Sequence, residues 1–173
     1  MNYATIKYCD IANGTGVRTS LFVSGCTHRC KGCFNAVAWD FNYGEPFGAK
    51  QENEILASLA PDYINGLSLL GGEPFEPQNQ PALLQLCKRV RKEFPQKTVW
   101  CYTGYQIEDI LAGKVGEQQT ALELLRCLDI LVDGEFIEEQ KNIRLKFRGS
   151  ENQRIICVPQ TLQKGEIVLW DES

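Results

Sequence analysis

Three cysteines fall within eight residues, and any fold of this chain has to present them on one short loop. They are Cys26, Cys30 and Cys33, and they follow an apolar, β-branched segment at residues 18–24 that is typical of a strand. Thiolate is the protein ligand that holds the irons of a 4Fe-4S cluster. Three thiolates on one loop occupy three corners of the cluster and leave the fourth iron open, so the spacing predicts a cluster that can bind a further ligand.

Zinc or a disulfide framework would use these cysteines differently. His28 lies between Cys26 and Cys30 and would complete a Cys3His set, although structural zinc sites usually draw their ligands from two separated segments. The chain has eight cysteines, an even number that suits disulfides. It opens into polar sequence without the pattern of a signal peptide, which predicts a cytoplasmic protein, where disulfides are rare. Buried structural thiols are expected at the five other cysteines: Cys9, Cys87, Cys101, Cys127 and Cys157.

The length of the chain fits one domain, residues 1–173, with a core of its own. No apolar run approaches membrane-spanning length, and the net charge is only −4. We therefore expect neither nucleic acid nor a membrane as a partner. The basic cluster at residues 88–92 is interpreted as the solvated face of a helix, with a docking patch for an acidic electron carrier as the alternative.

Strands and helices alternate along the chain, which predicts an α/β fold of parallel βα units. Strands are expected at residues 18–24, 66–70, 98–103, 128–133, 154–158 and 166–170, and helices at residues 52–60, 81–94, 107–111 and 120–127. A complete eight-unit barrel needs about 250 residues, so we expect part of a barrel with a mostly parallel sheet. The cysteine loop, Gly71-Gly72-Glu73, residues 103–105 and Asp133-Gly134 each follow a strand, which in such folds is the active face.

The sequence resembles a known family over nearly its whole length. Residues 13–18 (NGTGVR), 22–26 (FVSGC) and 33–35 (CFN) are together similar to the signature of the glycyl-radical enzyme activating proteins, which use S-adenosylmethionine (SAM). Residues 100–105 (WCYTGY), 133–136 (DGEF) and 148–154 (RGSENQR) narrow the resemblance to the activating proteins of anaerobic (class III) ribonucleotide reductase. Many radical SAM enzymes have an aromatic residue just before the third cysteine, whereas this chain has Gly32, as the narrower group does.

The resemblance implies a partial (β/α) barrel of the radical SAM type and a defined chemistry. Cys26, Cys30 and Cys33 would bind three irons of one 4Fe-4S cluster, and SAM would chelate the fourth. Reductive cleavage of SAM would give a 5'-deoxyadenosyl radical, which would take a hydrogen atom from a glycine of the anaerobic ribonucleotide reductase. The implied electron donor is reduced flavodoxin or a similar protein.

The Gly71-Gly72-Glu73 segment is expected to hold the methionine part of SAM. Glycines let the backbone approach a ligand closely, and carbonyls at a strand end can accept hydrogen bonds from an amino group. Glu73 would either accept from that amino group or brace the loop. A valine at Gly72 is therefore expected to weaken SAM binding while leaving the iron content unchanged.

Further SAM contacts are expected on two other loops. The resemblance implies that the adenine lies beside Gly32, Cys33 and Phe34, with ordinary core packing as the alternative for Phe34. Asp133 is expected to contact the ribose or the methionine, with a helix cap or turn residue as the alternative.

Three more side chains are expected to support the site. His28, the only histidine, is expected to tune the potential of the cluster or to pack its loop. Arg18 and Arg148 are expected to pair with carboxylates of the ligand or partner, or to form structural salt bridges.

Other functions remain open at this point. The chain fits an activating enzyme of another glycyl-radical enzyme, such as the pyruvate formate-lyase type, or a radical SAM enzyme for a small molecule. It also fits a noncatalytic iron-sulfur or zinc module that senses redox state. An open side of a partial barrel favours a protein substrate, because radical chemistry on a small molecule needs more enclosure.

Overall fold

A mixed seven-stranded sheet lies at the centre of the fold, with the strand order β3-β1-β2-β4-β5-β6-β7. A computed structural model describes residues 1–172. The strands are β1 (Asn2–Asp10), β2 (Arg18–Val23), β3 (Glu45–Pro46), β4 (Gly66–Gly71), β5 (Thr98–Tyr102), β6 (Ile130–Asp133) and β7 (Arg154–Cys157). The helices are α1 (Ala49–Ser58), α2 (Gln80–Glu93), α3 (Ile107–Leu111), α4 (Gln118–Arg126) and α5 (Val158–Lys164), with 3-10 turns at Ala36–Trp39 and Glu138–Gln140.

The four central strands, β2, β4, β5 and β6, are parallel, and they are mainly apolar except for the first half of β2, where Arg18, Thr19 and Ser20 are buried. One row of paired residues crosses them and continues into the antiparallel strand β7: Leu21, Leu69, Cys101, Leu131 and Ile156. All five are fully buried. Burial of this row is the reason that these segments form strands in this register, because a one-residue slip would turn the apolar side chains to the opposite face.

The helices cover the sheet with apolar faces at helical spacing. On α2 this face is Leu83, Leu86, Cys87 and Val90, all fully buried, and Pro81 stands in the first turn, where its missing N–H costs nothing. The cations on the other face of α2 are mostly paired: Lys88 with Glu123 and Arg89 with Glu52 and Glu93, while Arg91 pairs with Asp129. The basic cluster at residues 88–92 thus belongs largely to contacts within the fold.

The predicted α/β architecture with a mostly parallel sheet is confirmed, but the barrel is not. The sheet ends at β3 on one side and at β7 on the other and does not close. The outer pairs are antiparallel: β3 with β1 and β1 with β2 on one side, and β6 with β7 on the other. Because each outer strand returns alongside its neighbour, the parallel βα repeat stops there.

Several boundaries at the edges of the sheet differ from prediction. Strand β1 was not predicted. Its side chains are half-buried or exposed, so the segment lacks the apolar pattern of a buried strand. Residues 166–170 do not form a strand; they make one isolated bridge, between Leu169 and Ile156, after the unpredicted helix α5. Cys9 is exposed with a φ of 54° and Cys157 is half-buried, so the expectation of buried thiols is wrong for both, although Cys87, Cys101 and Cys127 are buried.

Among residues 1–172, none of the helices combines the length and the apolar character that crossing a membrane would need.

Candidate cluster and cofactor site

The carboxyl ends of the parallel strands surround a cavity of about 410 Å³. This end of the sheet is where loops of successive strands converge in α/β folds. The cavity brings together most of the predicted site residues: Cys26, Cys30, Cys33, Phe34, Gly71, Gly72 and Glu73. It does not include Gly32 or Asp133.

The cysteine loop is fixed at its start and at its turn. The backbone N–H groups of Gly25 and Cys26 donate to the carbonyls of Ala38 and Trp39, at 2.7 and 3.2 Å. Farther along, Glu76 accepts two hydrogen bonds from Thr27, one from its N–H and one from its hydroxyl, both at 2.7 Å. Glu76 is only 4 % exposed. Its buried carboxylate therefore holds the loop through charge-assisted hydrogen bonds.

All eight cysteines are free thiols, so the disulfide alternative is wrong. Burial raises the pKa of Cys26 to about 11 and also raises the pKa of Cys30. These thiols are therefore protonated near neutral pH until a metal displaces the proton. In residues 1–172, no three histidine, cysteine, aspartate or glutamate side chains converge as ligands of a single metal ion. A cubane places less demand on convergence, because each thiolate binds a different iron.

His28 faces two carboxylates and not the three thiols. Its Nδ1 lies 3.1 Å from Glu135 Oε1, and its Nε2 lies 3.4 Å from Glu73 Oε2 without hydrogen-bond geometry. The ring also packs edge-on against Tyr105, with centroids 4.4 Å apart. Burial lowers the pKa of His28, but the two carboxylates outweigh it and the pKa is raised. With both ring nitrogens turned to glutamates, the Cys3His zinc set has no support in this geometry.

Gly71 and Gly72 lie in close contact with the backbone of other segments of the chain. Gly71 has a φ of 106°, and a Cβ there would come 2.6 Å from the backbone of Val23. A Cβ on Gly72 would come 2.6 Å from the Gly25 carbonyl oxygen and 2.9 Å from that of Ala38. A side chain at Gly72 would therefore press first on the segment that carries the cysteines, so the prediction for Gly72 is extended from SAM binding to iron content.

The Glu73 carboxylate connects two loops of the site through hydrogen bonds. It is 1 % exposed, and its Oε1 accepts from the Phe75 N–H at 3.0 Å and from the Thr103 hydroxyl. Its Oε2 accepts from the Gly104 N–H at 2.8 Å. The carboxylate thus joins the loops after β4 and β5. Of the two roles predicted for Glu73, the structure contains the bracing one.

Gly32, Phe34 and Asp133 lie in three different environments. Phe34 is 92 % exposed at the cavity, so core packing is wrong for it. A Cβ on Gly32 would meet the side chain of Glu138 at 2.9 Å, outside the cavity. Asp133 is 1 % exposed and accepts from the Ile107 N–H at 2.9 Å. It also pairs with Arg154, so the helix-cap alternative describes Asp133.

Both arginines donate to neutral oxygens of the chain, and neither makes the structural salt bridge that was one of the two expectations. Arg18 is fully buried and donates to oxygens of Ser68, Thr98, Leu67 and Thr15 at 2.8 to 3.1 Å, and burial lowers its pKa to about 10. Arg148 lines the cavity and donates to the carbonyls of residues 151 and 153. Within residues 1–172, neither guanidinium lies at ion-pair distance from a carboxylate.

Several cavity residues were not foreseen, and two of them carry unsatisfied polar atoms. The Nε1 of Trp39 and the hydroxyl of Tyr102 are buried and have no hydrogen-bond partner within the described chain. Burial also raises the pKa of Tyr102, so its hydroxyl is a donor at neutral pH. Buried polar atoms normally have partners. The only sequence signal for Tyr102 was its place at the end of a strand that leads into a glycine turn.

Comparisons with known proteins identify the family of this chain. The family described as "4Fe-4S single cluster domain" matches residues 12–156. The anaerobic ribonucleoside-triphosphate reductase-activating protein of Vibrio cholerae is 44 % identical over 157 residues, which are 90 % of this chain and 97 % of that protein. Proteins of the same name from Escherichia coli K12 and Enterobacteria phage T4 are 41 and 40 % identical, over 88 and 90 % of this chain and 96 and 93 % of their own length. The chain therefore belongs to the family of anaerobic ribonucleoside-triphosphate reductase-activating proteins and contains a 4Fe-4S single cluster domain.

Proposed function

We propose that this protein activates an anaerobic ribonucleoside-triphosphate reductase by generating a glycyl radical on it. The observation that carries the proposal is that three free thiols of one loop line a cavity together with the glycine backbone after β4. Held by the three cysteines, a reduced cluster would supply one electron for the cleavage of SAM, and the cleavage would supply the hydrogen-atom acceptor for the glycine of the reductase. The chain's own residues then have to hold, orient and shield these groups.

Cys26, Cys30 and Cys33 would hold the cluster. The donor set suits it, because three thiolates leave one iron without a protein ligand. Glu76 fixes the loop through Thr27, and Glu73 fixes the floor beneath it. Residues that hold metal ligands in place commonly matter nearly as much as the ligands.

SAM would lie in the cavity at the carboxyl ends of the parallel strands. A volume of about 410 Å³ is in the usual range for a small-molecule site. The backbone at Gly71 and Gly72 would face the methionine, and Phe34 would offer its exposed ring to the adenine. The hydroxyl of Tyr102 and the Nε1 of Trp39 would gain acceptors from the ligand, which would satisfy two atoms that the protein leaves unpaired.

A protein substrate fits this cavity better than a small molecule does. Phe34 is 92 % exposed beside the cavity, and the sheet is open at both edges. A radical formed here needs cover from solvent, and a docking partner would supply it. In this proposal residues 1–173 act as a single radical SAM domain with a partial-barrel sheet, in the cytoplasm, with reduced flavodoxin or a similar protein as the electron donor.

Electron paramagnetic resonance tests the proposal directly. Anaerobically reconstituted protein, SAM, a reductant and the reductase should give a doublet that collapses when the reductase glycine is deuterated at its α-carbon. The variant Cys30→Ala should lose iron, SAM cleavage and the doublet. Cys157→Ala, which changes a half-buried thiol outside the cavity, should retain all three.

A reductase whose radical-bearing glycine is replaced by alanine serves as the substrate control and should give no doublet. A doublet that persists with that reductase would refute the proposed target. Full activity of Cys30→Ala would refute the proposed cluster.

A further inference from the structure

A basic loop forms part of the cavity rim. Residues 141–150, here called the rim loop, are closed at the neck by a bridge between Lys141 and Ser150. One side of the rim loop faces the cavity, which is lined by Leu145, Phe147, Arg148 and Gly149. The loop therefore lies beside the proposed reaction site without belonging to the cysteine loop.

The rim loop is positioned by the core of the protein. Phe147 has a φ of 62°, a left-handed conformation that is rare for a bulky residue. Its ring packs edge-on against Trp100 of β5, at 5.3 Å between centroids, and against Trp170, at 6.2 Å. Such aromatic contacts offset the cost of the backbone conformation. These contacts hold the rim loop in a defined position at the edge of the cavity.

The composition of the rim loop is unusual for this acidic chain. Residues 141–148 read KNIRLKFR, with four cations and no acid, whereas the net charge of the whole chain is −4. Ile143, in the middle of this stretch, is 90 % exposed. Apolar exposure continues around the cavity at Phe34, 92 % exposed, and at Ile11, 74 % exposed and next to the lining residue Ala12. Exposed apolar side chains rimmed by charge mark interaction sites.

Among the described residues, the acids that flank the rim loop in sequence form no ion pair with its cations. Glu151, directly after the loop, accepts from the side-chain amide of Asn142 at 3.1 Å. Glu138 and Glu139 lie 3.6 and 3.7 Å from Lys31 of the cysteine loop, and Glu135 lies 3.1 Å from His28. The carboxylates of Glu135, Glu138 and Glu139 are therefore directed to the cysteine loop and not to the rim loop.

The cations of the rim loop are largely left without acidic partners. Lys146 pairs with Glu172 at 3.3 Å, and Arg148 donates only to carbonyl groups. Lys141 and Arg144 are exposed, and neither forms an ion pair with any residue in the described part of the chain. A positive and partly apolar surface thus remains at the rim.

We propose that the rim loop docks an extended, acidic segment of the reductase, the one that brings its glycine to the cavity. This inference rests on the proposed function. Arg144 pairs with carboxylates of that segment, and Ile143 packs against its apolar side chains. Complementary charge at a rim sets the rate and selectivity of association, and the apolar contact at its centre contributes affinity.

The test compares two rim-loop variants, Arg144→Glu and Ile143→Ser, with the matched charge reversal Lys50→Glu on α1. Lys50 is also exposed and does not line the cavity. Affinity for the anaerobic reductase is measured with the reconstituted protein at low and at high salt. At low salt we expect about tenfold weaker binding for Arg144→Glu and a smaller salt dependence than for the unmodified protein. Ile143→Ser should weaken binding at both salt concentrations, and Lys50→Glu should match the unmodified protein.

Iron content and reductase-independent cleavage of SAM should be unchanged in both rim-loop variants, because neither side chain lines the cavity. Binding as tight as that of Lys50→Glu in both variants would overturn the inference. The inference would also be overturned if Arg144→Glu bound the reductase normally but was reduced more slowly by an acidic electron carrier. That result would show that the rim loop docks the carrier and not the reductase. Failure of the proposed function would give a different result. The unmodified protein would then bind the reductase without forming a glycyl radical.

Discussion

At the scale of single residues, the site depends on two buried carboxylates whose oxygens accept hydrogen bonds from the protein itself. Glu73 and Glu76 are 1 and 4 % exposed, and between them they accept hydrogen bonds from the cysteine loop and from the loops after β4 and β5. A buried carboxylate is stable only when its oxygens are satisfied, so these contacts are obligatory. The Gly-Gly-Glu pattern indicated the location of the site, while the bracing role of Glu73 depends on residues about thirty positions away.

Gly72 provides a prediction at the residue scale. In Gly72→Ala the new methyl group presses on the carbonyl oxygens of Gly25 and Ala38, so the cysteine loop has to move. We expect a loss of about 1 to 3 kcal/mol in stability and a lower iron content after reconstitution. Thermal unfolding and iron analysis measure the two effects.

Gly48→Ala is the matched control for Gly72→Ala. Its Cβ would meet only the Gln51 side chain, at 3.7 Å. It should keep its iron and lose less than about 1 kcal/mol, the usual scale for a cap position. Normal iron content in Gly72→Ala would show that the crossing of the two loops tolerates a methyl group.

At the scale of elements, two of the helices, α3 and α4, have an acidic side chain that caps their start. Asp133, at the end of β6, accepts from the first N–H of α3 and pairs with Arg154 of β7. Glu117 accepts from the N–H groups of Gln119 and Thr120 at the start of α4, at 3.1 and 2.8 Å. Because the first N–H groups of a helix have no partner within it, such caps decide where a helix begins.

The cap of α4 gives the element-scale prediction. Glu117→Ala leaves two N–H groups of the first turn without their acceptor, which should cost about 1 kcal/mol. For a chain of this length, the unfolding temperature should fall by about 2 to 4 °C. Glu54→Ala removes an exposed glutamate within α1 and should change that temperature by less. An equal effect of the two substitutions would argue against the cap.

At the scale of the whole molecule, an aromatic cluster ties the sheet to both the cavity rim and the C-terminal segment. Trp100 of β5 packs against Phe147 and Trp170, with ring centroids 5.3 and 5.4 Å apart. These residues are far apart in sequence, and Phe147 also lines the cavity. The rim loop is therefore supported by Trp100 and Trp170, neither of which lines the cavity.

Trp170→Ala tests this support. Loss of the partly buried indole should cost about 2 kcal/mol, less than for a fully buried tryptophan. It should also speed hydrogen exchange at residues 141–150. The neighbouring change Leu169→Ala, at a side chain that is 61 % exposed, should do neither. Unchanged exchange in Trp170→Ala would show that the rim loop does not depend on the C-terminal segment.

The central strands and the main helices were predictable because their signals are local. Strand β4 reads as one apolar run, and α2 combines an early proline with an apolar stripe, so burial and periodicity agree with the fold. Strand β1 was missed because, as an outer strand, it keeps polar and exposed positions. Residues 166–170 have the composition of a strand, but they form only one bridge to β7.

By itself, the sequence determined the loop of three cysteines, the glycines after β4 and the alternation that builds a parallel sheet. These follow from residue type and short spacing, which act within a few residues. Only the tertiary structure decided that the strands on both sides of the sheet pair antiparallel, that Asp133 caps α3 and that Tyr102 and Trp39 face the cavity with unpaired polar atoms. Each of these depends on which distant groups become neighbours, and that is settled when the chain buries its apolar surface and satisfies its buried polar groups together.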